Sequence, residues 1–252
     1  MKTTIAKSAR ADDAAELVVV VCALILPALI SGLSPQTGLA EHSQLYSALG
    51  FLKELLGSLK FGLLAALLLT RNPFDRAFCT LWPKGSKTKQ LLAGVGLWIA
   101  YYVFFDFWSL LANAWRLSVH STGWMQPQSA HESGLNLLFS MVNGLSEEIF
   151  RLYLLSQLLK LGAGWRGAVV GTAALIASYH VYQGAFIAVG FFAANVAINR
   201  AYAANRSLPM LFVWHALSDY THSTSLPGLE IVSALISAGF MSALSWIHLV
   251  RL

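Results

Sequence analysis

The sequence predicts an all-α polytopic membrane protein built as a bundle of about eight transmembrane helices. Of its 252 residues, 56% are hydrophobic and only 12% are charged, whereas about 25% of the residues in soluble domains are charged. The mean hydropathy of +0.60 agrees with this composition. Since one transmembrane helix takes about 20 residues, the chain has room for eight spans joined by short loops. The composition excludes a disordered chain and argues against a soluble enzyme.

Eight apolar segments carry this prediction. We expect residues 1–16 to form a cytoplasmic N-terminal segment and residues 17–252 to form a single transmembrane helical domain. The Gln183-Gly184 pair divides a run that is too long for one span, because this pair is typical of a turn. The predicted spans are 17–33, 47–70, 90–113, 134–156, 167–183, 184–204, 208–224 and 228–250.

The distribution of Lys and Arg predicts how these spans are oriented. The segment 71–89 is rich in basic residues and 34–46 has none, and basic residues collect in cytoplasmic loops. Eight spans with both termini in the cytoplasm fit nearly every basic residue. We therefore attribute the net charge of +5 to basic residues in cytoplasmic loops, and we expect no nucleic acid partner. Short loops and the lack of an appended domain favour a prokaryotic plasma (inner) membrane.

Span two is interrupted by Lys53, Glu54 and Lys60, which leaves a second topology open. If residues 41–60 lie along the interface, the chain has seven spans and its N-terminus lies outside. In the eight-span topology, Lys53 and Asp106 of span three fall at matching depth. A charge inside a membrane needs a partner or a water-filled cavity. We therefore expect either a structural Asp106–Lys53 ion pair or a place for Asp106 in the substrate cavity.

Six ionisable residues at membrane depth are the candidate functional residues, because a charge in the bilayer core costs roughly 2.5–3.5 kcal/mol. Counted from the predicted inner ends of the spans, one glutamate, two histidines and one aspartate fall within a slab roughly 9 Å thick. Side chains three or four residues apart on a helix share a face. The candidates are Glu147, Glu148 and Arg151 in span four, His180 in span five, and His215 and Asp219 in span seven.

Each of these features also has a structural interpretation. A Glu–Arg pair at helical spacing is often a structural ion pair, and a histidine in a membrane helix often bonds to a neighbouring helix. His215 and Asp219 are spaced for a local i,i+4 hydrogen bond that fixes the tautomer of the imidazole. The convergence of carboxylates and imidazoles from three spans at one depth favours a functional site.

Three short motifs on these spans carry a resemblance to a known family. They are Glu147-Glu148-Ile149-Phe150-Arg151, Ile176-Ala177-Ser178-Tyr179-His180 and His215-Ala216-Leu217-Ser218-Asp219. They resemble the Glu-Glu-x-x-x-Arg, Phe-x-x-x-His and His-x-x-x-Asn or Asp motifs of the CPBP family, also called the Abi or CAAX-protease and bacteriocin-processing family. Its members are intramembrane glutamic endopeptidases and include the Rce1-type prenyl proteases. The resemblance covers about residues 134–224.

The first motif is one residue shorter than the family pattern, which leaves two alignments open. If the glutamate pair is aligned, Glu147 is the catalytic residue and Glu148 reaches Arg151 at i,i+3. If the Phe-Arg pair is aligned, Ser146 takes the position of the catalytic glutamate and Glu147 pairs with the arginine. Both spacings keep the paired side chains on one helix face. We favour Glu147 as the catalytic glutamate, because the histidines and the aspartate have little use without a base.

The resemblance implies a hydrolytic mechanism that uses no cofactor. In this mechanism Glu147 and His180 hold and deprotonate a water molecule, while His215 and Asp219 stabilise the oxyanion. The second glutamate and the arginine of the first motif have supporting roles, since arginine keeps a neighbouring glutamate in place and ionised. A Glu-His-His set also binds zinc, so a zinc-dependent variant of the same protease is an alternative.

Other functions and several substrates are compatible with the sequence. A catalytically inactive scaffold or immunity-type protein would have the same fold, and a proton-coupled carrier would use intramembrane Glu and His residues as a relay. The resemblance permits prenylated CAAX tails, bacteriocin-type precursors or C-terminal sorting signals as substrates. Because bacteria generally lack prenylated CAAX proteins, we favour precursors or sorting signals. The expected partners are the lipid bilayer and a peptide or protein with a membrane-associated tail.

Overall fold

The computed structural model describes residues 11–23, 48–71, 86–115 and 130–223, and within these ranges it contains α-helices and no β-strand. The predicted all-α class is therefore confirmed for the described part of the chain. One 3-10 helix, Val181–Gln183, lies between the fifth and sixth α-helices. The α-helices are α1 (11–23), α2 (Ala48–Arg71), α3 (Lys87–Ala114), α4 (Ala130–Lys160), α5 (Gly164–Tyr179), α6 (Ala185–Asn205) and α7 (Leu208–Ser223).

The chain turns sharply between α5 and α6, where the sequence predicted a division. Gly184 has φ 115°, a conformation that residues with a side chain rarely adopt. Span five is shorter than predicted, because α5 ends at Tyr179 and His180 is its C-cap, with φ −92° and ψ 3°. The backbone N–H of His180 donates to the carbonyl of Ala177 at 3.1 Å. His180 thus belongs to the junction between the helices and not to a helix interior.

Capping fixes the start of α7. Ser207 precedes this helix, and its Oγ accepts a hydrogen bond from the backbone N–H of Met210 at 3.1 Å, as expected of a serine N-cap. The same hydroxyl donates to Gln90 Oε1 of α3 at 3.1 Å. The preceding residue, Arg206, ends α6 with φ 50°, and its guanidinium lies 4.0 Å from the ring centroid of Trp165. These contacts set the position of the polar residues two and three turns further along α7.

The directions of packed helices alternate along the chain. α2 runs parallel to α4, and α3 runs parallel to α7, whereas α1 and α7 run antiparallel to α4. A chain that crosses a membrane with each successive helix produces this alternation. The contacts that establish the directions are Ser58–Asn143 and Gly62–Ser146 for α2 with α4, Gln90–Ser207 and Trp98–Thr221 for α3 with α7, Asp13–Lys160 and Glu16–Tyr153 for α1 with α4, and Asn143–Asp219 and Glu148–His215 for α4 with α7.

The course of α2 bears on the second topology. This helix is continuous from Ala48 to Arg71, and it packs lengthwise against α4. Residues 41–47 lie outside the described residues, so the choice between the eight-span and seven-span topologies remains a prediction.

The hypothesised Asp106–Lys53 pair remains a prediction. α2 packs against α4, α4 packs against α7, and α3 packs against α7 and α6. Among the described residues, α2 and α3 share no extensive contact. Asp106 is half-buried on α3, while the side chain of Lys53 lies outside the described residues.

The described helices have surfaces suited to lipid. Lys87–Ala112 and Ala185–Asn205 are long and apolar enough to cross a membrane, by length and composition. Several large apolar side chains are exposed, among them Leu63 (67%), Leu92 (64%) and Val189 (54%), and extensive apolar exposure to water is unfavourable. The predicted eighth span, 228–250, and the end of the first lie outside the described residues. The count of eight spans thus remains a prediction.

Gly144 marks a close approach of α4 and α7. A Cβ atom at this position would lie 2.9 Å from the backbone nitrogen of Ala216. We expect Gly144→Ala to lower the free energy of unfolding by about 1–3 kcal/mol, because the two backbones must separate. Gly134→Ala on the same helix is the matched control, since a Cβ there meets nothing within 4 Å. Thermal unfolding in detergent compares the two, and equal Tm values would show that the helices tolerate a wider spacing.

Candidate active site

Arg151 of α4 is a buried arginine held by three side chains. Only 2% of its side chain is exposed, and its Nε donates to Glu148 Oε2 at 2.7 Å. Its Nη1 donates to two amide oxygens of α6, that of Asn195 at 2.5 Å and that of Asn199 at 3.0 Å. Burial of an unpaired charge is costly, so these bonds are what allow an arginine here. They join α4 to α6.

Glu148 connects this arginine to the histidine of α7. Its side chain is fully buried, and its Oε1 lies 2.6 Å from His215 Nδ1. Next to Arg151, Glu148 is an ionised acceptor, so His215 Nδ1 carries the hydrogen of this bond. The Nε2 atom then faces away from Glu148. Arg151, Glu148 and His215 thus form one buried chain, in which a carboxylate orients an imidazole as in a catalytic triad.

Glu147 is the accessible member of the glutamate pair, with 29% of its side chain exposed. The hydroxyl of Tyr179 donates to its Oε2 at 2.7 Å, and the Nδ2 of Asn143 donates to its Oε1 at 3.2 Å. Its Oε2 lies 3.6 Å from His215 Nε2. The two glutamates therefore differ in environment, because Glu148 is fully buried in an ion pair and Glu147 is partly exposed.

Asp219 of α7 lies near the same imidazole nitrogen. Its Oδ1 is 3.5 Å from His215 Nε2, and its Oδ2 accepts a hydrogen bond from Asn143 Nδ2 at 2.8 Å. The short bond that fixes the imidazole tautomer is made by Glu148 at Nδ1, and not by Asp219 as the i,i+4 spacing suggested. The Nε2 atom instead lies within 3.6 Å of both Asp219 and Glu147.

His180 lies beside these groups at the α5–α6 junction. Its ring stacks on Phe191 of α6, with centroids 3.9 Å apart and planes 4° apart. The centroid of the neighbouring Tyr179 ring is 4.3 Å away. His180 interacts electrostatically with Glu147 and with His215. Stacking on α6 therefore fixes the plane of this imidazole next to the accessible glutamate.

The six candidate residues form one cluster between α4, the α5–α6 junction and α7. Glu148 pairs with Arg151 at i,i+3, which is one of the two pairings that the sequence left open. Ser146, the residue that the other alignment puts in the catalytic position, is buried against Gly62 of α2. The geometry thus favours the alignment of the glutamate pair, and the catalytic role of Glu147 remains a prediction.

Neutral polar side chains complete the cluster, and the sequence analysis missed them. Asn143 precedes Glu147 by four residues, so its place on the same helix face was available as a signal. Asn195 and Asn199 show the same i,i+4 spacing in an apolar helix, which indicates a buried polar partner on another helix. Tyr179 gave no such signal, because the direction of its hydroxyl depends on where α5 ends.

Glu and His side chains are zinc ligands, so the cluster has residue types that could hold a metal ion. Among the described residues, no group of three or more His, Cys, Asp or Glu side chains is arranged to hold a metal ion. The expectation that the site needs no cofactor and the zinc-dependent alternative both remain predictions for experiment.

Comparison with known proteins adds an independent observation. Residues 131–221 match the family model of the Rce1-like type II CAAX prenyl endopeptidases. This segment is Rce1-like. No curated protein and no solved structure matches the chain. The Rce1-like segment begins at the start of α4 and ends within α7, so it contains all six candidate residues.

The Rce1-like match confirms the resemblance that the three motifs carry. It supports a membrane-embedded hydrolase of the CAAX-protease type that acts on a peptide substrate. The cluster described above lies entirely within this Rce1-like segment, while α1, α2 and α3 precede it. Helices outside the segment nevertheless contribute to the cluster, since Ser58 of α2 donates to Asn143 at 2.9 Å.

Proposed function

We propose that the protein is an intramembrane glutamic endopeptidase that hydrolyses a peptide bond near the membrane-associated end of its substrate. One observation carries this proposal: an accessible carboxylate, Glu147, lies 3.6 Å from the Nε2 of an imidazole whose other nitrogen is bound to a buried carboxylate. A general base and an oriented imidazole are the groups that activate water and stabilise an oxyanion. A structural ion pair needs only Glu148 and Arg151, and leaves Glu147 unexplained.

In the proposed first step, Glu147 accepts a proton from a water molecule held between it and His180. The water oxygen forms a bond to the substrate carbonyl carbon, and the carbonyl becomes a tetrahedral oxyanion. The bonds from Tyr179 and Asn143 keep the carboxylate of Glu147 in place, so the base is oriented before the substrate arrives. Collapse of the intermediate breaks the C–N bond, and Glu147 returns the proton to the leaving amine.

His215 is the proposed donor to the oxyanion. Glu148 fixes its tautomer and direction through Nδ1, and the Nε2 atom lies 3.5–3.6 Å from the carboxylates of Glu147 and Asp219. An ionised Asp219 cannot donate a hydrogen bond. Its proposed role is therefore to keep His215 protonated at Nε2, so that a doubly protonated imidazole faces the oxyanion.

We further propose eight transmembrane helices with both termini in the cytoplasm of a prokaryotic cell, in the plasma membrane. The directions of α1, α2, α3, α4 and α7 support this topology. Lys160 and Arg166 lie at the connection between α4 and α5, and Arg200 and Arg206 lie near the connection between α6 and α7, at one end of the bundle. Basic residues at one end are typical of the cytoplasmic side.

The proposed substrate is a peptide or protein with a membrane-associated C-terminal tail or precursor segment. The family description names CAAX prenyl endopeptidases, so a prenylated CAAX peptide is the first substrate to test. A precursor or sorting-signal peptide without a prenyl group is the second. A rate that falls when the prenyl group is removed would favour the first class, and equal rates would favour the second.

His180→Ala and His215→Ala should each lower the rate of peptide cleavage about 100-fold or more, because one removes a water-binding group and the other an oxyanion donor. Cleavage by the purified protein in liposomes measures this effect. Leu138→Ala is the matched control, since Leu138 lies on the exposed face of α4 (47% exposed) and should leave the rate unchanged. Full activity in both histidine variants would refute the proposed mechanism.

Exhaustive chelation should leave the cleavage rate unchanged, because a glutamate base and a histidine donor suffice for the proposed chemistry. The measurement compares the rate before and after treatment with a zinc chelator, together with elemental analysis of the purified protein. Stoichiometric zinc, combined with loss of activity on its removal and recovery on its return, would instead establish the zinc-dependent alternative.

A further inference from the structure

Asn143 makes hydrogen bonds to both accessible carboxylates of the candidate site. Its Nδ2 donates to Glu147 Oε1 at 3.2 Å and to Asp219 Oδ2 at 2.8 Å. Its Oδ1 accepts a hydrogen bond from the hydroxyl of Ser58 on α2 at 2.9 Å. The amide of Asn143 therefore connects α4 to α7, and α2 fixes this amide through the bond from Ser58.

The chemistry of the partners fixes the orientation of this amide. Ionised carboxylates only accept hydrogen bonds, so the NH₂ group of Asn143 must face Glu147 and Asp219. The amide oxygen then faces Ser58, whose hydroxyl donates to it. A carboxylate in place of the amide would have no hydrogens to offer, and a shorter side chain would reach neither partner.

Charge explains why a bridging donor is needed here. Glu147 and Asp219 are like charges near His215 Nε2, at 3.6 and 3.5 Å from it. Like charges close together repel, and a donor that both carboxylates share offsets part of this repulsion. Hydrogen bonds to charged acceptors are stronger than those between neutral groups. One amide that donates to both carboxylates therefore holds them in a fixed arrangement.

We propose that Asn143 is a positioning residue that sets the arrangement of the two carboxylates around His215. The proposal rests on the proposed function. It requires an amide at position 143 that donates to oxygen atoms at positions 147 and 219. Asn143 acts through Glu147 and Asp219 and does not itself touch the substrate.

Two single variants test this arrangement. Asn143→Asp places a second carboxylate against Asp219 and offers no hydrogens, whereas Asp219→Asn keeps an oxygen that accepts the bond from Asn143. Asn143→Asp should lower kcat about 100-fold, the loss typical for an essential donor in a catalytic site, while KM for the peptide stays within about threefold because substrate contacts are untouched. Asp219→Asn should lower kcat less, because the bond between positions 143 and 219 survives. Ser58→Ala should lower kcat only a few-fold, since it removes a bond behind the amide.

The exchange of the two residues is the decisive experiment. Asn143→Asp with Asp219→Asn restores one amide against one carboxylate, so kcat should recover at least about tenfold over the Asn143→Asp single variant. Recovery should be partial, because the new carboxylate lies beside Glu147. A residue that serves only packing would show no such rescue. Each variant is purified in detergent, its Tm is measured, and the folded protein is assayed in liposomes with the peptide that the wild type cleaves best.

The possible outcomes separate this inference from the proposed function. Full kcat in folded Asn143→Asp, or a folded double variant no more active than the single, would overturn the positioning role while cleavage by the wild type stands. If the wild type cleaves no peptide, the proposed function itself fails. If Asn143→Asp does not fold, Asn143→Ala takes its place, and a kcat equal to that of the wild type would overturn the role.

Discussion

Glu147→Gln should reduce the rate of peptide cleavage by about 10²–10⁴-fold, because a carboxamide cannot accept the proton of the attacking water. The fold should be unaffected. Glu147 has 29% of its side chain exposed. The amide oxygen can accept the bond from Asn143, and the amide NH₂ can donate to the hydroxyl oxygen of Tyr179. Cleavage in liposomes and the Tm in detergent measure the two effects separately.

The neighbouring glutamate provides the comparison for this prediction. Glu148 has the same chemistry one residue away but is sealed between Arg151 and His215. If Glu148→Gln removes activity with the fold intact and Glu147→Gln does not, the roles of the two glutamates are exchanged. If both variants cleave at the wild-type rate, the glutamic mechanism is wrong.

The second large effect concerns stability. Glu148→Gln should lower the free energy of unfolding by about 3–5 kcal/mol, because it leaves the charge of Arg151 buried without a counter-charge. Asp12→Asn on α1 is the matched control, since Asp12 is exposed, and its effect should stay within about 0.5 kcal/mol. Unfolding in detergent measures both variants.

Removal of both charges should restore much of this stability. In Glu148→Gln with Arg151→Met no buried charge remains, and neutral replacements of buried ion pairs are often tolerated. Recovery should be incomplete, because Asn195 and Asn199 lose the donor that they share. A double variant less stable than Glu148→Gln alone would contradict the view that the unpaired charge is the main cost. Cleavage by the double variant should stay low, since His215 loses its ionised partner.

The sequence allowed the helical fold and most of the site to be predicted because charges inside a membrane are expensive. Glu147, His215 and Asp219 stand out in apolar surroundings, and periodicity places them on helix faces that can meet. The same energetic rule explains why the Glu148–Arg151 pair could be anticipated. Local spacing along one helix is visible in the sequence.

Contacts between helices were less predictable, since they depend on packing. The bond from Glu148 to His215 Nδ1 requires the close approach of α4 and α7 at Gly144, whereas the sequence suggested the local partner Asp219. Neutral residues such as Asn143 cost less in an apolar helix and therefore stand out less. The position of His180 depended on where α5 ends, and the turn signal in the sequence, Gln183-Gly184, lies three residues beyond His180.

Oxygen-18 labelling tests the central claim most directly. The purified protein in liposomes is incubated with a prenylated CAAX peptide, and in parallel with a precursor-type peptide, in H₂¹⁸O, and the products are identified by mass spectrometry. The proposed mechanism predicts that the wild type cleaves at least one peptide at a single internal bond and places one ¹⁸O atom in the newly formed carboxyl group. Glu147→Gln should not release this product. The proposed mechanism would be contradicted if the folded wild type cleaved neither peptide, or if Glu147→Gln released the same labelled product at the same rate.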